Sequence, residues 1–499
     1  MVDNTLYISK LNEVYLKIEC EPSEARTLSD YFTFDVPGAK FMPSYRSRVW
    51  DGKIRLYSMM KKEIYIGLLD YVLHFAKEHS YHVIFLNQVS DYGKYSPKEI
   101  KEISDSLNIH KITPRDYQLD AVKQALSKKK CILVSPTASG KSLIIYIIIR
   151  ELLNQGLSKI LLVVPTTSLV EQMYSDFRDY ATNTNWKVGY YCHRIYSGHE
   201  KYSENPIIIS TWQSIHKQGY DFFKPFDAII GDEAHGFKAK ALTSIMTKLL
   251  NTPYRIGTTG TLDGTKTHKL VLEGLFGPVY NVTTTKELMD SQYLANLQIH
   301  CIVLEYPEIL RKNSKKLTYQ QEIKFLIDNE YRNKFITDMV SVLNGNTLVL
   351  YQMVEKHGRI LYDGLIDREV ETYFIHGGIK TSEREEIRNL AETKTGIVIV
   401  ASYGTYSTGI NIKNLHNVVF ASPSKSRIRN LQSIGRGLRK SGNKDNVKLF
   451  DISDDISWKS HKNYTFRHLL NRIEIYNSEK FDYEIKKIPL YSTPSQKLL

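Results

Sequence analysis

Residues 135–142, SPTASGKS, have the types and spacing of a loop that binds the phosphates of a nucleotide. The loop follows an apolar run, CILV, and precedes another, LIIYIII, so it joins a predicted strand to a predicted helix. In such a loop the backbone amides surround the phosphates, the lysine neutralises the β and γ groups, and the last hydroxyl binds Mg²⁺. Ser135 stands where the usual pattern has glycine, and a chance turn before a buried helix is the alternative interpretation. The predicted nucleotide ligands are Pro136, Thr137, Ala138, Ser139, Gly140, Lys141 and Ser142.

Two adjacent acids, Asp232 and Glu233, follow an apolar run in FDAIIGDEAH. A buried strand that ends there places both carboxylates at its carboxyl end. One such carboxylate can hold Mg²⁺, usually through water, while the next polarises the water that attacks the γ-phosphate. We therefore predict that Asp232 binds the metal together with Ser142 and that Glu233 activates water. His235 either couples the nucleotide state to neighbouring loops or has a structural role.

An adenine contact is predicted from TPRDYQLDAV, just before the first α/β unit. The side-chain amide of Gln118 can donate to the adenine edge and accept from it at once, which favours ATP. Arg115 lies in the same stretch and is the second candidate ligand. Tyr117, between them, is equally consistent with a core aromatic.

Two arginines lie late in the chain, in NLQSIGRGLRKSG at residues 430–442. Arg436 and Arg439 are three residues apart, so a helix would place both guanidinium groups on one face, beside Gln432. No acid follows until Asp445. The stretch is either a solvated basic helix face or a site for an anion.

The composition favours a globular, intracellular protein with a polyanionic partner. The 499 residues contain 67 Lys and Arg against 54 Asp and Glu, and the net charge of +13 most often indicates nucleic acid. The four cysteines are isolated, which predicts a reduced protein without structural zinc. The amino terminus lacks the apolar run of a secretory signal, and the most apolar stretch, SLIIYIIIRELL, is too short to span a membrane.

These candidate residues must be positioned by strands and helices, and the sequence divides accordingly into four parts. Residues 1–110 are aromatic and mixed in charge. In 111–294 and again in 295–452, short β-branched runs that end in polar turns alternate with helical patterns, which is typical of buried parallel strands. Residues 453–499 contain a predicted helix around TFRHLLNRIEIY. The fold class is therefore α/β, with two tandem doubly wound parallel-sheet domains and a cleft between them, a small N-terminal α+β domain and a short helical C-terminal extension.

The chain resembles the superfamily-two helicases, whose motifs it carries in order over roughly residues 112–452. The motifs are PRDYQ, SPTASGKS, VVPTTSLVEQ, STWQS, GDEAH, TTGT, ASYGTYSTGIN and QSIGRGLRK. Three further stretches, NVTTTKELMDSQYLA, IVIVASYGTYSTGINIKNLHNVV and RVWDGKIRLY, are most similar to the recombination and replication-rescue helicases of T-even-type phages. WDGKIR lies outside the ATPase core and is therefore the better discriminator. The resemblance implies RecA-like domains, with 111–294 binding ATP and 295–452 supplying arginine fingers.

The resemblance also implies roles for single residues. Gln432, Arg436 and Arg439 would face the γ-phosphate across the cleft, so that hydrolysis would require cleft closure. Gly409 would lie near the nucleotide, and Thr258–Thr261 would link the ATP and DNA sites. The implied contacts to the nucleic-acid backbone, each also consistent with ordinary turn chemistry, are Pro165, Thr166, Thr211, His376, Gly377 and Thr408.

A basic and aromatic stretch in the first zone is a candidate DNA contact. Residues 40–62 contain seven Lys and Arg and a single acid, Asp51, interleaved with aromatic residues. Basic groups can neutralise phosphates while exposed rings stack on unpaired bases, and residues 1–110 are therefore predicted to be a DNA-recognition domain. Alternatively, WDGKIRLY is a hairpin with a turn at Asp51–Gly52 and inward-facing aromatics. The candidate contacts are Arg46, Arg48, Trp50, Lys53 and Arg55.

Together these features predict an ATP- and Mg²⁺-dependent DNA helicase that acts on branched DNA such as stalled forks, Holliday junctions and displacement loops. The branched substrate is implied by the resemblance. Three alternatives are an RNA-remodelling helicase, the translocase subunit of a restriction-type nuclease assembly and a non-hydrolysing nucleic-acid-binding relative. The intact acids, lysine and arginines of the motifs argue against the third. A single-strand-binding or recombination protein is a further candidate partner, no membrane contact is expected, and a phage-encoded chain would act in the cytoplasm of its bacterial host.

Overall fold

The computed structural model describes residues 4–89, 92–196, 198–236, 239–262, 265–405, 412–422, 426, 431, 433–435, 437–438 and 444–490. These residues form two compact units. The first comprises the chain up to residue 135 together with 140–282, and the second comprises 136–139 together with the chain from 283 onward.

The first unit begins with a small mixed sheet. Its strands run in the order β5-β6-β2-β1-β7, with β1 and β7 parallel and the other pairs antiparallel, while β3 and β4 form a separate antiparallel pair. The elements are β1 Thr5–Lys10, β2 Tyr15–Glu19, α1 Pro22–Tyr31, β3 Thr33–Asp35, α2 Pro43–Arg46, β4 Lys53–Arg55, β5 Tyr57–Ser58, β6 Glu63–Tyr65, α3 Leu69–Glu78 and β7 His82–Phe85.

The rest of the first unit is a seven-stranded parallel sheet with helices between its strands. The strand order is β10-β11-β9-β12-β13-β8-β14. The elements are α4 Pro97–Ser106, α5 Asp116–Lys128, β8 Lys130–Val134, α6 Lys141–Asn154, β9 Ile160–Val164, α7 Thr167–Tyr180, α8 Val188–Tyr191, β10 Cys192–Ile195, β11 Ile207–Thr211, α9 Trp212–Ile215, α10 Tyr220–Phe223, β12 Ala228–Gly231, α11 Ala239–Met246, β13 Tyr254–Thr259, α12 Lys266–Phe276 and β14 Val279–Asn281.

The second unit contains another seven-stranded parallel sheet, in the order β17-β18-β16-β19-β20-β15-β21. The elements are α13 Thr285–Asp290, β15 Asn296–Glu305, α14 Glu308–Ser314, α15 Tyr319–Ile327, α16 Glu330–Ser341, β16 Thr347–Tyr351, α17 Arg359–Ile366, β17 Thr372–Ile375, α18 Thr381–Thr393, β18 Val398–Ser402, β19 Asn417–Phe420, β20 Asn446–Asp455, α19 Tyr464–Ser478 and β21 Tyr483–Pro489.

The two parallel sheets have the same topology. Counted along the chain, the strands of each lie in the order third, fourth, second, fifth, sixth, first, seventh. The central strands are buried on both faces, as the all-apolar run ILLVV of β9 illustrates, because helices cover both sides of such a sheet. The predicted α/β class with two tandem doubly wound domains is thereby confirmed. Since all strands of a sheet point one way, the turns after them lie along a single carboxyl edge.

The small N-terminal sheet packs against the first parallel sheet through α12. Leu270 and Val271 of α12 belong to the same apolar cluster as Leu6, Ile8 and the other core residues of the small sheet. Gly67 allows the backbone of the N-terminal region to lie close to that of α12, because an added Cβ there would lie 1.9 Å from the carbonyl oxygen of Glu273. Tyr71 also donates a 2.8 Å hydrogen bond to the Glu273 carboxylate. The first 110 residues are therefore fixed to the first parallel sheet.

The end of the chain packs onto the second unit. The predicted helix around TFRHLLNRIEIY is confirmed as α19, and β20 continues past the predicted boundary at residue 452. A strand that the sequence did not predict, β21, pairs in parallel with β15 and completes the sheet. Buried Glu322 of α15 accepts four hydrogen bonds from Asn463, Tyr464 and Thr465, and thereby caps the amino terminus of α19.

Buried ion pairs fix the helices of this unit to its sheet. Arg472 of α19 donates two hydrogen bonds, of 2.8 and 2.7 Å, to the carboxylate of Asp451 on β20. Tyr476 donates a third bond to the same carboxylate, and Arg472 and Asp451 are both fully buried. Because every group in this cluster has a partner, the two charges can be accommodated in the core.

Candidate active site

The predicted phosphate loop lies between β8 and α6, at the carboxyl edge of the first sheet. Ala138 and Gly140 have left-handed backbone conformations, with φ of 71° and 83°. An added Cβ at Gly140 would lie 2.3 Å from the side-chain nitrogen of Gln118, so glycine is required there by both backbone and packing. Ser139 closes the turn by donating a 2.7 Å hydrogen bond to the carbonyl of Pro136.

Lys141 is the first residue of α6, and its ammonium group lies over the loop. It donates to the carbonyl oxygen of Ser135 at 3.3 Å and lies 3.6 Å from a carboxylate oxygen of Glu233. The phosphate-loop lysine and the predicted water-activating acid are therefore neighbours. A triphosphate bound in the loop would compete with Glu233 for this cation.

Asp232 follows β12 and is buried, with 6% of its surface exposed. Its Oδ1 atom accepts hydrogen bonds from the Thr258 hydroxyl at 2.7 Å and from the Glu233 amide at 2.9 Å. Burial and the adjacent charge of Glu233 raise the pKa of Asp232, while Lys141 and the Thr258 bond oppose the rise. A bound cation would restore the charged form, as expected for a metal ligand.

Glu233 and His235 connect the acidic motif to the TTGT stretch after β13. Glu233 has φ of 48°, and its Oε2 atom accepts a 3.4 Å hydrogen bond from the Gly260 amide. The Thr259 hydroxyl donates to the Thr261 carbonyl, so it accepts the 2.5 Å bond from Nδ1 of His235. This pairing is consistent with either role predicted for His235, coupling or structural. Thr258 and Thr259 at the end of β13 therefore contact Asp232 and His235 of the acidic motif, and a link between the ATP and DNA sites stays a prediction.

The residues fit a Mg²⁺-nucleotide by the chemistry of their donors. The Ser142 hydroxyl and the Asp232 carboxylate are hard oxygen ligands of the kind that Mg²⁺ prefers. The Ser142 hydroxyl lies 2.8 Å from the hydroxyl of Tyr180, the last residue of α7. The Ser142 hydroxyl can donate to Tyr180 and keep a lone pair for the metal. Sequence reasoning missed Tyr180, which carries no motif.

The predicted adenine-binding stretch begins α5. Gln118 is buried, and its side-chain oxygen accepts a 2.9 Å hydrogen bond from the backbone amide of Arg115. The Arg115 guanidinium donates to the Tyr117 hydroxyl at 2.9 Å. Gln118 therefore lies against Gly140 of the phosphate loop while it orders the start of its own helix. The predicted adenine contact of Gln118 and Arg115 stays a prediction.

Two predicted nucleic-acid loops are neighbours at the same sheet edge, after β9 and β11. Gln213 joins them by donating a 3.0 Å hydrogen bond to the carbonyl of Pro165. The Thr166 side chain accepts from the Leu169 amide and so caps α7. Thr211 is buried, and its hydroxyl is paired with that of Ser214 at 2.8 Å. Gln213 belongs to the motif STWQS, but the sequence did not predict it as a site residue. Its hydrogen bond to the Pro165 carbonyl is what places it between the two loops.

In the second unit, His376 and Gly377 follow β17 at the carboxyl edge of its sheet. The Gly378 amide donates to Nδ1 of His376 at 3.2 Å, so the proton of the neutral ring is on Nε2. Arg384 holds the turn by donating to the carbonyls of Gly377 and Ile379. Five other predicted site residues lie outside the described residues, namely Thr408, Gly409, Gln432, Arg436 and Arg439.

Residues 40–49 of the N-terminal region, which include the short helix α2, form an exposed basic and apolar surface. Phe41 and Val49 are 66% and 82% exposed, and Arg46, Arg48 and Lys53 are exposed beside them. Trp50 instead donates its indole N–H to the Lys53 carbonyl at 2.8 Å, and Arg55 is paired with Asp51 at 2.5 Å. The alternative hairpin is realised only in part. Gly52 has a left-handed φ of 81° at the predicted turn, and Tyr57 is buried as this alternative expects, but β4 pairs with β3 and not with a strand directly across that turn.

Three protein families match separate parts of the chain. The N-terminal family of the DNA helicase UvsW matches residues 9–86. The res subunit family of type III restriction enzymes matches 111–264, and the helicase conserved C-terminal domain matches 332–441. The matches follow the order of the N-terminal region and the two parallel sheets.

Curated and solved relatives span the whole chain. The ATP-dependent DNA helicase uvsW of Enterobacteria phage T4 is 34% identical over 95% of this chain and 98% of its own length. A crystal structure of T4 UvsW aligns with a TM-score of 0.53 at 33% identity, covering 97% of this chain and all of that one. A fragment of a putative HsdR subunit of a type I restriction enzyme from Vibrio vulnificus shares the fold, with a TM-score of 0.57 at 20% identity over 78% of this chain and 72% of that one.

Two further observations concern membranes and metals. Across the described ranges, no helix is both long and apolar enough to cross a bilayer. The same ranges contain no group of three or more His, Cys, Asp or Glu side chains arranged to hold a metal ion. The candidate Mg²⁺ site instead has the few protein ligands expected of a metal that is bound together with phosphates.

Proposed function

This chain belongs to the UvsW family of ATP-dependent DNA helicases in superfamily two, and on that premise we propose that it remodels branched DNA: stalled forks, Holliday junctions and displacement loops. The family is that of nucleic-acid-dependent ATPases, so ATP is the nucleotide that drives the reaction. The branched substrate and the individual residue roles below are the content of the proposal.

The ATP-binding half of the motor is assigned to the carboxyl edge of the first sheet. Lys141 binds the β- and γ-phosphates, and Glu233 orients the attacking water. Their separation of 3.6 Å supports this assignment, because the two groups would face the same phosphoryl group. Gln118 and Arg115 shape the pocket next to Gly140. Gln432, Arg436 and Arg439 remain candidates for stabilising the transferred charge.

Mg²⁺ is assigned to Ser142 and Asp232. When bound, this ion would neutralise the phosphates and the developing charge. The carboxylate of Asp232 supports the assignment, since it is buried where only a nearby cation could compensate its charge, and the Thr258 hydrogen bond favours its ionised form. Tyr180 can orient the Ser142 hydroxyl for the ion by accepting its proton.

The observation that best supports a branched substrate is the exposed surface of residues 40–49. It belongs to the N-terminal region, which is fixed to the first parallel sheet. Apolar side chains at a fork can separate bases by wedging between them, while neighbouring basic groups hold the backbone. Phe41 and Val49 are exposed in this way beside Arg46 and Arg48. Because α12 joins this region to the first parallel sheet, movement of that sheet would carry the wedge with it.

The test compares ATPase activity and strand separation on single-stranded, duplex, forked and four-way DNA, with single-stranded and forked RNA beside them. We expect ATP turnover to be stimulated by DNA and strand separation to be greatest on forked and four-way substrates. Stimulation by RNA equal to that by forked DNA would contradict the assignment to DNA. Equal activity on blunt duplex and on forks would contradict the branched substrate.

A further inference from the structure

Two segments of the second unit that lie outside the matched family ranges are strongly basic. Residues 311–324, RKNSKKLTYQQEIK, contain five Lys and Arg and a single acid, Glu322. That acid is buried and used as the cap of α19. Residues 456–468 contain Lys459, Lys462 and Arg467 and no acid. The solvent side of both segments therefore carries cations only.

The two segments meet in one surface. The Tyr319 ring of α15 contacts the rings of Tyr464 and His468 on α19, with centroids 5.8 and 5.6 Å apart. Arg467 lies over the Tyr464 ring, 4.5 Å from its centroid. Asn463 connects the hairpin around Lys459 to Glu322 of α15. We call Tyr319, Lys324, Lys356, Lys459, Lys462 and Arg467 the α15–α19 surface.

A cavity of about 320 Å³ adjoins this surface and is also cationic. Its lining includes Lys324, Lys356 and the buried Arg332, and no carboxylate. The Arg332 guanidinium donates a hydrogen bond to the carboxylate of Asp454 at 2.8 Å and another to the Ala421 carbonyl. Most of the cavity wall is apolar, so its contribution to the surface is the two exposed lysines at its opening, Lys324 and Lys356.

The position of the surface indicates its partner. The hairpin around Lys459 follows β20, and α15 follows β15, so both lie at the carboxyl edge of the second sheet. The predicted contacts His376 and Gly377 follow β17 at the same edge. The α15–α19 surface therefore extends the predicted nucleic-acid edge across the sheet, toward β20 and β15. Exposed cations without carboxylates among them, of which Arg467 is held over the Tyr464 ring, suit a duplex backbone, whose phosphates can be neutralised without contact to the paired bases.

We propose that the α15–α19 surface binds the phosphate backbone of a duplex arm of branched DNA. The inference rests on the proposed function, since it assumes a DNA substrate with duplex arms. It adds a second contact, separate from the loops of the helicase motifs and from the N-terminal surface. Glu322 and Asn463 position the surface by fixing the start of α19 to α15.

The test is the triple variant Lys459→Ala, Lys462→Ala, Arg467→Ala, measured by fluorescence anisotropy against forked DNA with duplex arms and against a single strand, over a range of salt concentrations. Each lost contact to duplex phosphate lowers the slope of log K against log salt by about 0.9, so we expect a decrease of roughly 1 to 3 on the fork. Affinity for the fork should fall about tenfold near physiological salt, while single-strand binding changes by less than about twofold.

The matched control is Lys94→Ala, Lys98→Ala, Lys101→Ala, which removes three exposed cations in and before α4. It should leave both slopes unchanged. An unchanged slope in the first variant, or an equal loss on the single strand, would overturn the inference. The single reversal Lys459→Glu serves as a second variant and should weaken fork binding further than Lys459→Ala. If the unmodified protein shows no DNA-stimulated ATPase, the proposed function fails instead, so the two failures are distinguishable.

Discussion

The Thr258 hydroxyl donates a 2.7 Å hydrogen bond to Oδ1 of Asp232, and so joins β13 to the acid to which Mg²⁺ is assigned. This bond favours the ionised carboxylate, because it lowers a pKa that burial and Glu233 raise. A hydrogen bond to a charged group is worth about 1.5–3 kcal/mol. The bond therefore bears directly on how readily the site takes up a cation.

Thr258→Val should weaken Mg²⁺-dependent nucleotide binding. Loss of the bond raises the pKa of Asp232, so at a given acidic pH more of the carboxyl is protonated and unable to bind the ion. The Mg²⁺ concentration for half-maximal binding of a fluorescent ATP analogue should rise about tenfold. The acid limb of that binding should also move to higher pH. Thr258→Ser, which retains the hydroxyl, is the control, and equal behaviour of the two variants would contradict the role of the bond.

Glu233→Gln should separate ATP binding from hydrolysis. The amide cannot take up the proton of the attacking water, and general-base catalysis contributes about 10²–10⁴ in rate. Lys141 and the phosphate loop remain, so nucleotide affinity should change by only a few-fold. Single-turnover hydrolysis and analogue binding measure the two quantities. Turnover within tenfold of the unmodified protein would show that Glu233 does not activate the attacking water.

Arg46→Ala with Arg48→Ala should weaken binding to forked DNA and flatten its salt dependence. Both side chains are exposed on the N-terminal surface, and each lost phosphate contact lowers the slope by about 0.7–0.9. Arg26→Ala with Lys77→Ala removes two exposed cations from the same region and should have no effect. A salt slope equal to that of the unmodified protein would rule out this contact.

Gly67→Ala should loosen the N-terminal region from the first parallel sheet. The new Cβ would lie 1.9 Å from the Glu273 carbonyl oxygen, and such overpacking costs about 1–3 kcal/mol. The melting temperature should fall, and limited proteolysis should release the N-terminal region earlier. Gly219→Ala, where no atom lies within 4 Å of the new Cβ, should change neither. Unchanged proteolysis in Gly67→Ala would show that the region is held in another way.

Asp451→Asn should strongly destabilise the second unit. Arg472 would be left as a buried charge without its counterion, which costs about 3–5 kcal/mol. The midpoint of the urea transition, followed by circular dichroism, should fall accordingly. The double variant Asp451→Leu, Arg472→Met removes both charges and should be closer to the unmodified protein. Equal destabilisation of the single and double variants would contradict the ion-pair explanation.

The sequence predicted the strands and motif turns of the two parallel sheets well, because each is encoded by a short stretch of neighbouring residues. Each strand of the parallel sheets that ends in a motif is an apolar run followed by a polar turn, and Asp232, Thr166 and His376 all lie where that pattern places them. The parallel arrangement then brings these turns to one edge within each unit, with no further information needed.

Other features could not be read from the sequence because they depend on distant residues. Glu322 caps a helix that begins 142 residues later, and no local pattern encodes such a contact. β21, in YEIKKIP, lacks the apolar run of a central strand because it lies at the edge of its sheet. The turn at Asp51–Gly52 was predicted, but the partner of the strand that follows it was not. That strand, β4, pairs with Thr33–Asp35, from which a helix and a loop separate it along the chain.

β21 also determines where this protein can be shortened. Its residues 483–489 pair with residues 299–305 of β15, so a chain that ended at residue 452 would expose one side of a ten-residue, largely apolar strand. An uncovered edge of this kind pairs with other copies of the same chain. Truncated forms that keep every helicase motif would therefore self-associate, and the smallest soluble second unit extends to Pro489.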